Sequence, residues 1–219
     1  MSRRHGLESA RPGEGKVSVG SDDGKPRGGV VSRVLLLYGA YNLFHNLAFL
    51  CGYHLLSPGA MKGTHAARIA STVADAPSFW SELGRTLFVN LGIMGSISLL
   101  LNLQRVRTIP LGYLVTFFLG VTTGLFLGTN SLVAVDLSGV PFLAGTATGL
   151  TIGGAEMLGY ACLIGATARI SVYERQTWWR WQEKFVRVRS LRDIRLSPGE
   201  VLMLLLGIAL IVGAAYRET

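Results

Sequence analysis

Charged side chains are missing from long stretches of this chain, and each gap is wide enough to matter. Asp, Glu, Lys and Arg are absent from Val34 to Met61, from Thr86 to Gln104, from Thr108 to Val135 and from Val201 to Tyr216. Between Leu137 and Ala168 one acid, Glu156, interrupts an otherwise apolar, glycine-rich run. About 20 apolar residues suffice for a helix to cross a bilayer. The pattern therefore predicts an all-α polytopic membrane helix bundle of about five spans, near 34–56, 86–104, 109–130, 141–168 and 199–216. The fourth stretch is too long for one straight crossing, and the Gly153-Gly154 pair is the expected place for a break or a re-entrant turn.

Within the first span, Tyr38, Asn42, His45 and Asn46 fall at i, i+4, i+7 and i+8. This spacing lines their polar groups along one face, suited to hydrogen bonding between helices and, as an alternative, to a proton or ligand path. In the third span Gly120, Gly124 and Gly128 form a doubled GxxxG. A near copy follows at Gly145, Gly149 and Gly153. Small residues four apart let another backbone approach closely, so the two glycine faces are expected to pack on each other as a glycine zipper. Glu156 stands out because an ionised carboxylate within hydrocarbon is costly. After a break at Gly153 it would occupy the first turn of a helix, where unsatisfied amides and the helix dipole favour negative charge.

The segments between the spans carry the polarity. Residues 1–29 mix charge with glycine and proline and hold few large apolar residues, which predicts a disordered tail. The tail is too polar and too long for a signal-peptide n-region, so the first helix is expected to stay attached. "THAARIASTVADA" in the connection between the first two spans predicts a short surface helix, with Trp80 at the interface beyond it. The "RVRTIP" link implies a tight turn between neighbouring antiparallel spans. From 171 to 196, Trp178, Trp181, Phe185 and Val188 recur at +3, +4 and +3, with Arg180, Lys184 and Arg187 on other faces; this predicts a basic amphipathic helix in the headgroup layer. Ser197, Pro198 and Glu200 read as N-cap, first helical residue and capping-box acid of the last span.

Composition agrees with a membrane protein: 49% of the 219 residues are hydrophobic and 16% charged. The net charge of +8 would suggest nucleic acid in a soluble chain. Its placement indicates otherwise. Alternate sides of a five-span bundle would hold seventeen and four Lys and Arg residues, a positive-inside pattern placing the N-terminus in the cytoplasm and the C-terminus outside a cell membrane, with no nucleic-acid partner. Cys51 and Cys162, both in apolar stretches, are expected to be buried free thiols.

Catalytic signatures are lacking: there is no P-loop, no HExxH, no GxSxG and no cysteine-histidine metal spacing. Neither a cofactor nor a metal is expected. His45, His54 and Glu156 could meet inside the bundle, although nothing in their spacing requires it.

Asn90 opens "NLGIMGSISLL", "TGLFLG" runs from Thr123 to Gly128, and "TIGGAE" runs from Thr151 to Glu156. In this order the segments resemble the stage II sporulation protein M family, whose second span opens on asparagine, whose third ends on an NGxxLG-type segment and whose fourth opens on a PHGxxE-type segment. Gly153 and Glu156 match in spacing. Thr123 replaces the asparagine, and Thr151 and Ile152 replace the proline and histidine. The resemblance spans roughly Leu83 to Tyr216. It implies a cytoplasmic N-terminus and, in sporulating bacteria, a scaffold that organises cell-wall hydrolases at the engulfing membrane. The expected function is a non-enzymatic membrane scaffold or assembly partner in the lipid bilayer, acting with other membrane proteins or as a homo-oligomer. The alternative is a transporter or permease-like subunit with an intramembrane polar site formed by Glu156, His45, Asn42 and Asn90.

Overall fold

The computed structural model describes residues 28–131, 153–179 and 182–219, and most of them are helical. The expected disordered tail lies almost entirely outside the described residues, as do Gly145, Gly149, Arg180 and Trp181. Among the described residues, three helices are long and apolar enough to cross a membrane: α1 (Val30–Leu55), α3 (Phe79–Asn102) and α6 (Pro198–Glu218). A shorter apolar helix, α4 (Tyr113–Gly128), and the helix α5 (Gly154–Thr167) pack among them. The predicted surface helix is α2 (His65–Ala74), started by Thr64, whose hydroxyl accepts from the Ala67 amide at 3.2 Å.

α3 begins earlier than the charge-free stretch suggested and takes Glu82 and Arg85 into its first turns. Its middle, Phe88–Gly95, is wound as a π-helix. The ring of Phe79, at its start, stands 5.5 Å from that of Tyr216 near the end of α6. The connection after α1 is fastened to the end of α4, where the Gly59 amide donates to the Thr129 carbonyl at 2.6 Å and the Met61 amide to the Ser131 hydroxyl at 3.1 Å.

The opposite end of the bundle carries a small sheet that the sequence did not suggest. Strands β1 (Gln104–Val106), β2 (Ile109–Pro110), β3 (Tyr173–Arg175) and β4 (Val186–Arg187) lie in the order β2-β1-β3-β4. β1 and β3 run parallel, with Arg105 opposite Glu174, and these two side chains form an ion pair at 2.6 Å. "RVRTIP" thus closes a hairpin, with Arg107 at φ 55° in the left-handed region. The expected amphipathic helix over 171–196 is absent from the described residues there. Backbone pairing with a strand nearly seventy positions away outweighs a local helical spacing. Trp178, Phe185, Lys184 and Arg187 consequently lie on strands and turns, and all four are exposed.

Two helix seams form the core. On the first, Gly120, Gly124 and Gly128 of α4 face the backbone of α1. A Cβ on Gly120 would come within 3.0 Å of the Tyr41 carbonyl oxygen, while one on Gly124 or Gly128 would overlap the carbonyl oxygen of His45 or Phe49. Among the described residues this glycine face packs on the first helix; the expected contact with a second glycine stripe at Gly145 and Gly149 lies outside them. On the other seam, Gly159 of α5 meets Gly207 of α6, each leaving less than 3 Å between a built Cβ and the other's carbonyl oxygen. Tyr160, Cys162, Leu163, Ile164 and Ile211 fill the space around it. Cys162 is buried as expected, whereas Cys51 lies on the exposed side of α1; both are free thiols. The outward faces of the long helices remain apolar, with Leu35, Leu36, Leu202 and Leu205 all more than half exposed, as a lipid-facing surface requires.

Candidate functional site

The polar residues inside the bundle fall into two clusters, one at mid-height and one at the end that carries the sheet. At mid-height, Tyr41 and His45 stand one turn apart on α1 and face Thr123 of α4. The Thr123 hydroxyl lies 3.1 Å from the Tyr41 hydroxyl and 3.0 Å from His45 Nδ1, and it donates to its own Leu119 carbonyl at 2.7 Å. With its one proton so used, Thr123 can only accept from the other two. The Tyr41 hydroxyl also lies 3.3 Å from His45 Nδ1, which closes the three groups into one network. His45 is buried, at 5% exposure, and the glycines beside Thr123 bring α4 close enough for these bonds to form.

Glu156 lies in the first turn of α5, after Gly153 as N-cap. It is partly buried and within electrostatic reach of the Tyr41 hydroxyl, and a Cβ on Gly154 would sit 3.3 Å from the Tyr38 hydroxyl. The start of α5 therefore lies against the part of α1 that carries Tyr38. Asn42 and Asn46 do not join them: each donates to a carbonyl of its own helix one turn back, at 2.7 Å. Asn90 sits in the π-helical stretch of α3, where its backbone carbonyl accepts from the Tyr160 hydroxyl at 3.1 Å. His54 is exposed near the end of α1, its ring edge-on to Tyr53.

The second cluster was missed by sequence reasoning. Arg33, counted with the polar tail, lies inside α1 and is only 3% exposed. Its Nη2 donates to Glu200 Oε1 at 2.7 Å. The other oxygen of Glu200 accepts from the Ser197 amide at 2.9 Å and the Ser197 hydroxyl at 3.0 Å. The predicted capping box is thus present, and its acid is simultaneously the buried partner of an arginine 167 positions away. Arg169, just beyond α5, adds a second guanidinium with Nε 3.6 Å from the same carboxylate. The starts of α1 and α6 and the end of α5 are thereby tied at one point. The only sequence signal was a capping-box acid at the start of a membrane helix, with arginines at the ends of two others.

A neutral lock stands nearby. Asn102, fully buried at the end of α3, donates from Nδ2 to the Ile164 carbonyl at 3.0 Å and the Thr167 hydroxyl at 2.7 Å. Ile164 is among the last carbonyls of α5, which have no partner within their own helix. Gly112 must lack a side chain because a Cβ there would overlap the Asn102 amide.

No family model, no curated protein and no solved structure matches this chain. Among the described residues, no group of three or more His, Cys, Asp and Glu side chains is placed to hold a metal ion.

Proposed function

We propose that the chain is a five-span integral membrane protein that acts by assembling with other membrane proteins or with copies of itself, as its resemblance to the stage II sporulation protein M family implies. The observation that carries this reading is the use made of the interior polar groups. Tyr41, His45 and Thr123 bond one another across two helices, and the buried carboxylate of Glu200 is engaged by Arg33 and Ser197. Side chains spent on helix-to-helix contacts suit a rigid body that presents its outer faces to partners. In this arrangement the sheet and the Arg33–Glu200 pair face the cytoplasm, in keeping with the positive-inside distribution. At ~1.5 Å per residue, α5 is about 21 Å long and does not span a bilayer core of ~30 Å alone. It forms the cytoplasmic part of a fourth span broken near Gly153.

Affinity purification from membranes in mild detergent tests the proposal. A stable partner or a homo-oligomer is expected, and recovery of the bare chain would overturn it. A second reading, a transporter-like subunit, is favoured by the nearness of Glu156 to the Tyr41–His45–Thr123 cluster. It requires ion flux that depends on Glu156.

A further inference from the structure

Away from both polar clusters, α2 and the first turns of α3 enclose a groove of about 730 Å³, within the size range of ligand sites. His65, Arg68, Ile69, Thr72 and Val73 supply one wall, at the spacing of a single helical face. Trp80, Gly84, Arg85 and Phe88 supply the other. Two guanidiniums line the groove and no carboxylate does. Arg85 crosses it, Nη1 donating to the Thr72 carbonyl at 2.7 Å. Arg68 leans on His65, its Nη2 3.2 Å from the ring Nδ1. Beside the guanidiniums stand the polar groups of His65, Thr72 and Ser81, and the apolar part of the lining is open, with Ile69 50%, Trp80 75% and Phe88 66% exposed. Trp80 and Phe88 belong to a helix long and apolar enough to cross a membrane. The groove therefore runs from a basic rim onto the side of a spanning helix.

We propose that this groove binds an anionic phospholipid, its phosphate held by Arg68 and Arg85 and its acyl chain laid along Ile69, Trp80 and Phe88. Charge complementarity selects the headgroup: guanidiniums pair with phosphate through several parallel hydrogen bonds. The continuous apolar floor selects a lipid over a soluble anion. Gly84 faces open space in the floor, since a Cβ there would meet nothing within 4 Å. The site depends on neither the assembly nor the transport reading.

The test is lipid retention by the full chain in mild detergent, read by native mass spectrometry with dioleoyl phosphatidylglycerol and dioleoyl phosphatidylcholine as probes. Phosphatidylglycerol is expected to bind at least about fivefold more tightly, the effect of roughly one basic residue near a membrane surface. Arg68→Gln should remove most of that preference. Gly84→Leu, which keeps both charges and improves helix propensity, should weaken retention of both lipids. Equal binding of the two lipids, or retention unchanged in both variants, overturns the proposal. Competition by inorganic phosphate as strong as by phosphatidylglycerol overturns the assignment to lipid. A Gly84→Leu chain that changes oligomeric mass but not lipid retention gives the groove to a second copy, and likewise overturns it.

Discussion

The two polar clusters of the bundle solve one problem by different means. At the end that carries the sheet, a full ion pair is buried: Arg33 and Glu200 are each 3% exposed at the side chain, and Glu200 gains further donors from its own helix cap. At mid-height the groups that bond one another, Tyr41, His45 and Thr123, are held by hydrogen bonds whose geometry is satisfied with every member neutral. Formal charge is costly to bury unless several donors converge on it. A helix start provides such donors, whereas the middle of a helix has none to spare. The contrast assigns the charged cluster to fixing the helix ends and the neutral one to holding α1 against α4.

Substitutions that separate these roles should differ in size. The largest effect is expected at Glu200→Gln, which leaves Arg33 buried without its counter-charge and should cost about 3–5 kcal/mol. Unfolding in mixed detergent would measure it. A double Arg33→Met, Glu200→Met variant should recover much of that loss; if it is no more stable than Glu200→Gln alone, the cost does not come from an uncompensated charge. Next is Gly124→Leu, whose side chain would collide with the His45 carbonyl and force α1 and α4 apart, at about 1–3 kcal/mol. Stability equal to the parent would mean that this seam is looser than it is drawn here. Thr123→Val keeps the shape and removes the hydroxyl. Bonds of this kind between membrane helices are worth about 0.6 kcal/mol on average and up to about 1.7, so a smaller loss than at Gly124 is expected in the same assay.

The smallest effect lies outside the bundle, in the turn between β3 and β4. Glu183 accepts from the Thr177 hydroxyl and from the amides of Gln176 and Thr177. These bonds, the Thr177 hydroxyl first, hold its carboxyl below the usual carboxylate range. A carboxyl lowered by folding stabilises the folded turn above its ordinary range and loses that contribution as pH falls through the lowered value. Thr177→Ala should move the Glu183 titration upward by carboxyl NMR. An unchanged titration would show that the hydroxyl is not responsible.

What could be read from sequence was local. Long charge-free stretches give α1, α3 and α6; "THAARIASTVADA" gives α2; and Ser197 announces the start of α6. What escaped was the choice of partner. A GxxxG stripe states that a backbone approaches without saying which, so the contact of Gly120, Gly124 and Gly128 with α1 was not legible. Arg33 resembled a tail residue because Glu200 is 167 positions away. The +3, +4, +3 spacing from Trp178 is the same signal a helix would give, and only the pairing of β3 with β1 distinguishes the two. Asn102 gave no periodic signal at all, because its role is to satisfy carbonyls of another helix.

The claim that polar residues inside this bundle hold helices together, and do not carry an ion, is tested most directly by proton flux into proteoliposomes loaded with a pH-sensitive dye. For a structural interior, flux with the parent protein should match that of protein-free vesicles and be unaltered by Glu156→Gln. Gradient-driven flux that disappears in a folded Glu156→Gln variant would contradict it.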